Sequence, residues 1–248
     1  MGKAIEKIAL QHGHTIHAIV DDESQWADQV QAVKESDVAI DFSMPSTAVG
    51  NIRRCFSLGT PVVVGTTGWY EHLDAIVQEC STCNGALFVA SNFSIGMNIM
   101  FDPNRRLAKL MSQHPEYQVS IQETHHIHKL DAPSGTAITL ANDMIASNPH
   151  FTEWQLRNEI WIDPDGKENA DKSSRPCFQQ AATTIPIDSE RRGEVPGIHT
   201  VTYNSPIDTI TLAHSAKSRD GLALGAILAA EYLQGKKGYH TMAQLLNA

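Results

Sequence analysis

The densest chemistry in the sequence lies between Glu123 and Ala137, which reads ETHHIHKLDAPSGTA. Three histidines and a lysine follow a strand-like run and precede a helix-like one. Histidine can give up a proton near neutral pH, and Lys129 adds positive charge or a second acid. Ser134, Gly135 and Thr136 fall at the expected helix start, where unpaired N–H groups and the positive end of the helix dipole suit a carboxylate. An acid, a cation and an anion nest together describe a site for an anionic substrate that has to be protonated. More plainly read, PSGT is ordinary helix capping, and HHxH could hold a metal. Adjacent histidines on a strand point to opposite faces, however, so only His126 and His128 would share a side. No Cys or carboxylate cluster completes a coordination sphere, and no metal is expected.

The elements that must position these residues fall into two patterns. Residues 1–93 alternate helix and strand: a helix over Met1–Gln11 stopped by Gly13, a β-rich run over Thr15–Val20 closed by Asp21, and a strand over Asp37–Phe42. A helix opens near Ser46, a strand runs over Thr60–Val64, a helix over Leu73–Cys80, and a strand over Ala86–Ala90. The run PVVV suits a sheet buried on both faces. This alternation predicts an α/β fold with a Rossmann-like parallel, doubly wound sheet. After Ser94 the rhythm changes. A long helix is expected over Gly96–Gln113, kinked or restarted near Asp102 by Pro103, then a strand over Tyr117–Thr124 and a helix over Pro133–Ile145. Further strands near Glu159–Ile162, Thr183–Asp188, His199–Tyr203 and Asp208–His214 lack regular crossovers, which points to an α+β substrate domain with a mixed sheet. Asp163–Ser174 is polar and reads as a surface loop. The apolar helix over Asp220–Leu233 is expected to return to the first domain. The domains are therefore 1–94 with 216–248, and 95–215.

In open parallel sheets ligands sit outside the carboxyl ends of the strands, and candidate cofactor residues fall there. Asp21 can accept both hydroxyls of an adenosine ribose, although taken alone it is equally a turn or cap residue. Asp22 stands where a 2′-phosphate would want a cation, so NADH is favoured over NADPH. Gly65, Thr66 and Thr67 offer small side chains, N–H groups and hydroxyls. Ala90, Ser91, Asn92 and Phe93 can finish a nicotinamide site. A dinucleotide fold opens with a strand and G-x-G-x-x-G, with an acid about 20 residues on. Gly2 suits the last glycine of that fingerprint, so the strand and two earlier glycines would precede Met1. The first strand is thus expected to be truncated, and the chain as given to bind cofactor poorly.

Bulk properties limit the partners. Hydrophobic residues make up 42% of 248 and charged residues 19%, as in a globular chain. The net charge of −9 disfavours a nucleic-acid surface but allows a locally basic pocket for a small anion. No apolar run approaches a membrane span and no secretory core opens the chain, so the default location is cytoplasmic. Cysteines stand at 55, 80, 83 and 177. The lone CxxC of Cys80 and Cys83 lacks a second pair, and idle or buried thiols are the simpler reading.

The Glu123–Ala137 segment resembles the signature of dihydrodipicolinate reductases, E-x-H-H-x-x-K-x-D-x-P-S-G-T-A, at every fixed position. The likeness extends to Gly65–Gly68, to SNFSIGMN (Ser91–Asn98), to R-x-G-x-x-x-G (Arg191–Gly197) with His199, and to AHSAKSRDGLALGAILAA near the C-terminus. The resemblance implies reduction of 4-hydroxy-tetrahydrodipicolinate to tetrahydrodipicolinate with NADH or NADPH, on the route to diaminopimelate and lysine. It puts His125 on the proton donor/acceptor and Lys129 on the second donor. It puts His126, Gly135 and Thr136 on substrate contacts, and Asp21, Gly65–Thr67 and Ala90–Phe93 on cofactor contacts. It also implies a homotetramer built through the substrate-domain sheets. Arg191 either orders the pocket or serves as a structural ion-pair partner. Pro196 departs from the valine frequent in the family. The rival readings are another two-domain NAD(P)-dependent dehydrogenase and a cofactor-deficient form without turnover. A semialdehyde dehydrogenase would want a catalytic cysteine, which the candidate segments lack.

Overall fold

The computed structural model describes residues 1–176, 178 and 181–248; Cys177 therefore lies outside the described residues. In chain order its elements begin α1 (Gly2–Gln11), α2 (Trp26–Glu35), β1 (Ala39–Asp41), α3 (Pro45–Leu58), β2 (Val62–Val64), α4 (Leu73–Thr82) and β3 (Ala86–Val89). There follow α5 (Ile95–Met111), β4 (Gln118–His125), α6 (Gly135–Ser147), β5 (Glu153–Ile162), β6 (Thr184–Arg192), β7 (Ile198–Asn204) and β8 (Thr209–Ser215). The chain finishes with α7 (Asp220–Leu233), β9 (Gly238–His240) and α8 (Met242–Leu246). Two compact units result, residues 1–98 with 219–248, and residues 99–218.

The first unit carries a parallel sheet in the order β1-β2-β3-β9. Successive side chains on a strand face opposite ways, and the two resulting apolar sets build separate layers. Val63, Ala86 and Phe88 pack with α1 and α7 on one side. Val62, Val64, Leu87 and Val89 pack with α3 and α4 on the other. The helix α7 is small and apolar nearly all round, which lets it lie close to its neighbours: Ala223, Ala226 and Ala229 are wholly buried. At Gly225 a Cβ would stand 1.8 Å from the carbonyl oxygen of Phe93, so only glycine permits that approach.

Three expectations change here. Residues 15–20 form no strand, because no neighbouring strand offers them a ladder. Their β-rich composition is a preference that needs a partner to be realised. Pro103 does not restart α5, which runs unbroken from Ile95 to Met111. Three elements, α2, β9 and α8, are present that the sequence reading did not name.

The second unit is a five-stranded mixed sheet in the order β5-β6-β4-β7-β8. The strand β4 is central, parallel to β6 and antiparallel to β7. Its inward positions Val119, Ile121, Glu123 and His125 are all buried, as are Leu140, Ala141 and Met144 of α6. Residues 163–173 form an exposed, turn-rich excursion after β5.

Candidate active site

The register of the three central strands builds the site. Ile121 lies beside Ile187 and Val201, an apolar row. One step further along, Glu123 lies beside Ser189 of β6 and His199 of β7, and beyond that His125 lies beside Arg191. The sheet thus changes from oily to ionic within two residues, at the end where β4 runs into the turn leading to α6.

Glu123 is the hub, with its side chain wholly removed from solvent. Its Oε1 accepts from the Ser134 N–H at 3.1 Å, the Ser189 hydroxyl at 2.7 Å and Arg191 Nη2 at 3.2 Å. Its Oε2 faces Nδ1 of His125 at 2.9 Å, in a bent contact that is chiefly electrostatic. Burial by itself pushes this carboxyl up, but donation from His125, Ser134 and Ser189 outweighs it and holds the group below the ordinary carboxylate range. Arg191, also fully buried, spends its other donors on backbone: Asp131 O at 2.6 Å, Glu190 O at 2.9 Å and Lys129 O at 3.3 Å. Arg191 is thus the ion-pair partner of Glu123 and also pins the segment bearing Lys129.

Lys129 is mostly shielded, and its Nζ is held by both oxygens of Asp131 at 2.7 and 2.8 Å. Ser134 caps α6: its hydroxyl accepts from the Ala137 N–H at 3.2 Å and meets His199 Nε2 at 3.1 Å. Burial, then the neighbouring His125, pushes His199 down to about 3, so its ring is neutral. Gly135 and Thr136 form the first turn of α6 beyond that cap.

The histidines separate as they leave the strand. His125 points into the ionic cluster, whereas His126 and His128 lie in the following turn with ring centroids 6.0 Å apart. His128 is exposed and reaches Glu194 at 3.1 Å. HHxH therefore does not converge on one point. A different trio does: ligand atoms of Glu123, His125 and His199 lie within 4.8 Å of one another. Two histidines and a carboxylate suit a divalent ion, yet Arg191 already supplies the positive charge at this carboxylate.

In the first unit, the predicted cofactor residues divide by environment. Gly65 and Thr66 follow β2, and Ala90 and Ser91 follow β3, its parallel neighbour. A cleft of about 220 Å³ opens at the ends of β3 and β9, lined by Ala90, Ser91, Asn92, Asn98 and Thr241 among others but not by Gly65, Thr66 or Thr67. Asn98 clamps this loop by donating to the carbonyls of Asn92 and Ser94 at 2.8 and 2.9 Å. Thr66 is buried and donates to Asp41 Oδ1 at 2.6 Å, while Thr67 is exposed. The Phe93 ring belongs to the core, 5.5 Å from Phe42 and 5.9 Å from Phe88. Asp21 is exposed, and its N–H donates to Gln25 Oε1 at 2.7 Å; the capping role falls to Asp22, which accepts from the Ser24 N–H. A larger hollow between α3 and α4 holds none of the predicted residues.

The sequence reading assigned no role to Glu123 or Asp41, and it placed Ser134 only at the helix start. For Glu123 a signal existed, because an acid at an inward strand position has to be paired when it is buried. Asp41 ends β1 and gathers Ser43, Asn51 and Thr66 around its carboxylate.

Comparison with known proteins divides the chain near residue 95. Residues 1–93 match the family model described as dihydrodipicolinate reductase, N-terminus, and residues 96–246 the one described as dihydrodipicolinate reductase, C-terminus. The chain belongs to the dihydrodipicolinate reductase family. It is 43% identical over 247 residues to the 4-hydroxy-tetrahydrodipicolinate reductase of Christiangramia forsetii, covering 100% of this chain and 94% of that protein. It is 30% identical to the enzyme of the same name from Lawsonia intracellularis, over 96% of this chain and 91% of the relative. Among solved structures, the dipicolinate-bound dihydrodipicolinate reductase from Paenisporosarcina sp. TG-14 shares the fold at a TM-score of 0.61 and 24% identity, covering 94% of this chain and 82% of that one. An amine dehydrogenase from Mycobacterium smegmatis aligns at a TM-score of 0.54 and 10% identity, over 96% of this chain and 90% of that one. Within the reductase family, the signature from Glu123 to Ala137 is the segment that carries the ionic cluster.

Proposed function

We propose that this chain reduces 4-hydroxy-tetrahydrodipicolinate to tetrahydrodipicolinate with NAD(P)H, a step of lysine and diaminopimelate biosynthesis. Membership of the reductase family supports the reaction. The observation that carries its chemistry is the pairing of a buried, ionised Glu123 with His125 beside a shielded lysine.

When bound, the nicotinamide supplies a hydride. The protein has to hold a dianionic ring and give a proton to the electron-rich centre left after hydride addition. His125 gives that proton, and Lys129 serves as second donor and as a cation for substrate carboxylate charge. His126 and the first-turn N–H groups of Gly135 and Thr136 hold the carboxylates, since the start of a helix favours anions. These groups make a basic pocket on a chain of net charge −9.

Residues 1–94 with 216–248 take the dinucleotide, and 95–215 take the substrate and the oligomer contacts of a homotetramer. Cofactor binding draws on Asp21, on Gly65, Thr66 and Thr67, and on Ala90, Ser91, Asn92 and Phe93, where the core position of Phe93 leaves its backbone as the contact. The cleft at the carboxyl ends of the adjacent parallel strands β3 and β9 supports the assignment for Ala90, Ser91 and Asn92. NADH is preferred to NADPH because Asp21 and Asp22 are both exposed acids, unfavourable to a 2′-phosphate. Among the described residues no helix is long and apolar enough to cross a membrane, and the cytoplasm is the proposed location.

The test is NADH oxidation in the presence of the product that the preceding aldol-type synthase generates. Oxidation that depends on this product, with a higher kcat/KM for NADH than for NADPH, is expected. Cofactor binding without product-dependent oxidation would overturn the reaction, and a preference for NADPH would overturn the coenzyme assignment.

A further inference from the structure

We infer that Glu123 is a positioning residue for His125: its buried carboxylate fixes a proton on Nδ1 of the ring and leaves Nε2 as the atom that delivers a proton to substrate. The catalytic consequence rests on the reductase reading above, whereas the tautomer rests on the placement of the carboxylate and its charge.

Oε2 of Glu123 and Nδ1 of His125 are both buried and lie 2.9 Å apart in a bent contact, and neither has a well-formed hydrogen bond to any described residue. A lone pair on Nδ1 would face an anionic oxygen at 2.9 Å and be repelled by it, whereas an N–H dipole there is attracted, so the carboxylate favours the proton on Nδ1. The carboxylate has no freedom to turn away, because Oε1 is tied to Ser134, Ser189 and Arg191. His199 stands edge-on to His125 with centroids 5.0 Å apart, which hinders a flip of the ring. Near Nε2 of the ring is Gly197, whose φ of +154° suits glycine. A Cβ there would stand 3.1 Å from Nε2, so the absent side chain keeps this nitrogen uncrowded.

The step balances simply. The Nε2–H bond of the imidazolium breaks, its electron pair stays on Nε2, and the proton goes to the electron-rich centre of the reduced substrate. The ring is left neutral with its proton on Nδ1, Glu123 keeps its negative charge throughout, and solvent returns a proton to Nε2. The arrangement resembles in kind the carboxylate that orients a catalytic histidine in hydrolases.

The decisive measurement is the ¹⁵N spectrum of the wild-type enzyme labelled at histidine, with His125 assigned by its loss in H125Q, at a pH where the ring is neutral. A pyrrole-type Nδ1 and a pyridine-type Nε2 are expected; the reverse tautomer would overturn the inference. In E123Q, which keeps shape but loses charge, kcat is expected to fall about 10-fold or more while KM moves little, and Nε2–H tautomer to appear. A folded E123Q enzyme with wild-type kcat and an unchanged ring would also overturn it. If E123Q does not fold, the wild-type spectrum still decides. That spectrum needs no substrate, so an inactive wild-type enzyme would count against the reductase reading and not against the tautomer.

Discussion

Glu123 and Arg191 form an ion pair of 3.2 Å in which neither side chain retains any solvent exposure. Through it the cluster reaches both proposed proton donors. Glu123 sets the environment of His125, and Arg191 holds the carbonyls of Lys129 and Asp131. Removing one member of a buried pair leaves an uncompensated charge, at about 3–5 kcal/mol. R191M is therefore expected to lose stability on that scale in urea unfolding. R191K keeps the charge but loses the forked contacts and should lose less. An R191M protein with a wild-type midpoint would show that the pair is not what holds this end of the sheet.

His125 and Lys129 are separable from cofactor binding in this account. H125Q and K129A should each lower kcat by about 10²-fold or more, on the usual scale for proton-transfer groups. NADH affinity, measured by fluorescence titration, should stay within error of the parent. Near-parental turnover in either variant would remove that residue from the chemistry.

Stability should fall on acidification before ordinary carboxylates titrate. His199 ordinarily titrates at 6.5, and burial, then His125, holds it at about 3 in the fold. Between these values the unfolded chain binds a proton that the folded chain refuses, so stability rises with pH across the window and is lost as pH falls. Glu123 acts in the same direction lower down, its contribution present above its ordinary 4.5 and lost below it. Urea unfolding should lose about 1–2 kcal/mol between pH 6.5 and 5, and H199Q should flatten that slope whatever its constant offset. An equal slope in H199Q would mean that other groups carry it.

The contact between α7 and the loop after β3 offers a test within the first unit. In G225A the new methyl would meet the Phe93 carbonyl at 1.8 Å, a backbone atom that cannot swing aside. Overpacking of this kind costs about 1–3 kcal/mol. A lower melting temperature and weaker NADH binding are expected together, because Ala90–Phe93 must shift. Wild-type NADH affinity in a destabilised G225A protein would argue against a cofactor role for that loop.

The sequence by itself determined the kinds of chemistry and most of the local structure. The spacing from Glu123 to Ala137 named an acid, a cation and a helix start, and alternation and apolar runs placed β1 to β4 within a few residues. These signals are local: a period of two or 3.6 residues, a proline, a capping serine. What only the tertiary structure decided is which side chains meet. Glu123 bonds Ser189 and Arg191 from 66 and 68 residues away, because β4 and β6 are parallel in one register. A slip of one residue would turn all of them to the other face, and nothing in a single strand's pattern names its neighbour. The same dependence explains residues 15–20, whose composition favours a strand but whose backbone meets no partner. The motif that first drew notice thus supplied the proton donors, while long-range register supplied the buried carboxylate that orients one of them.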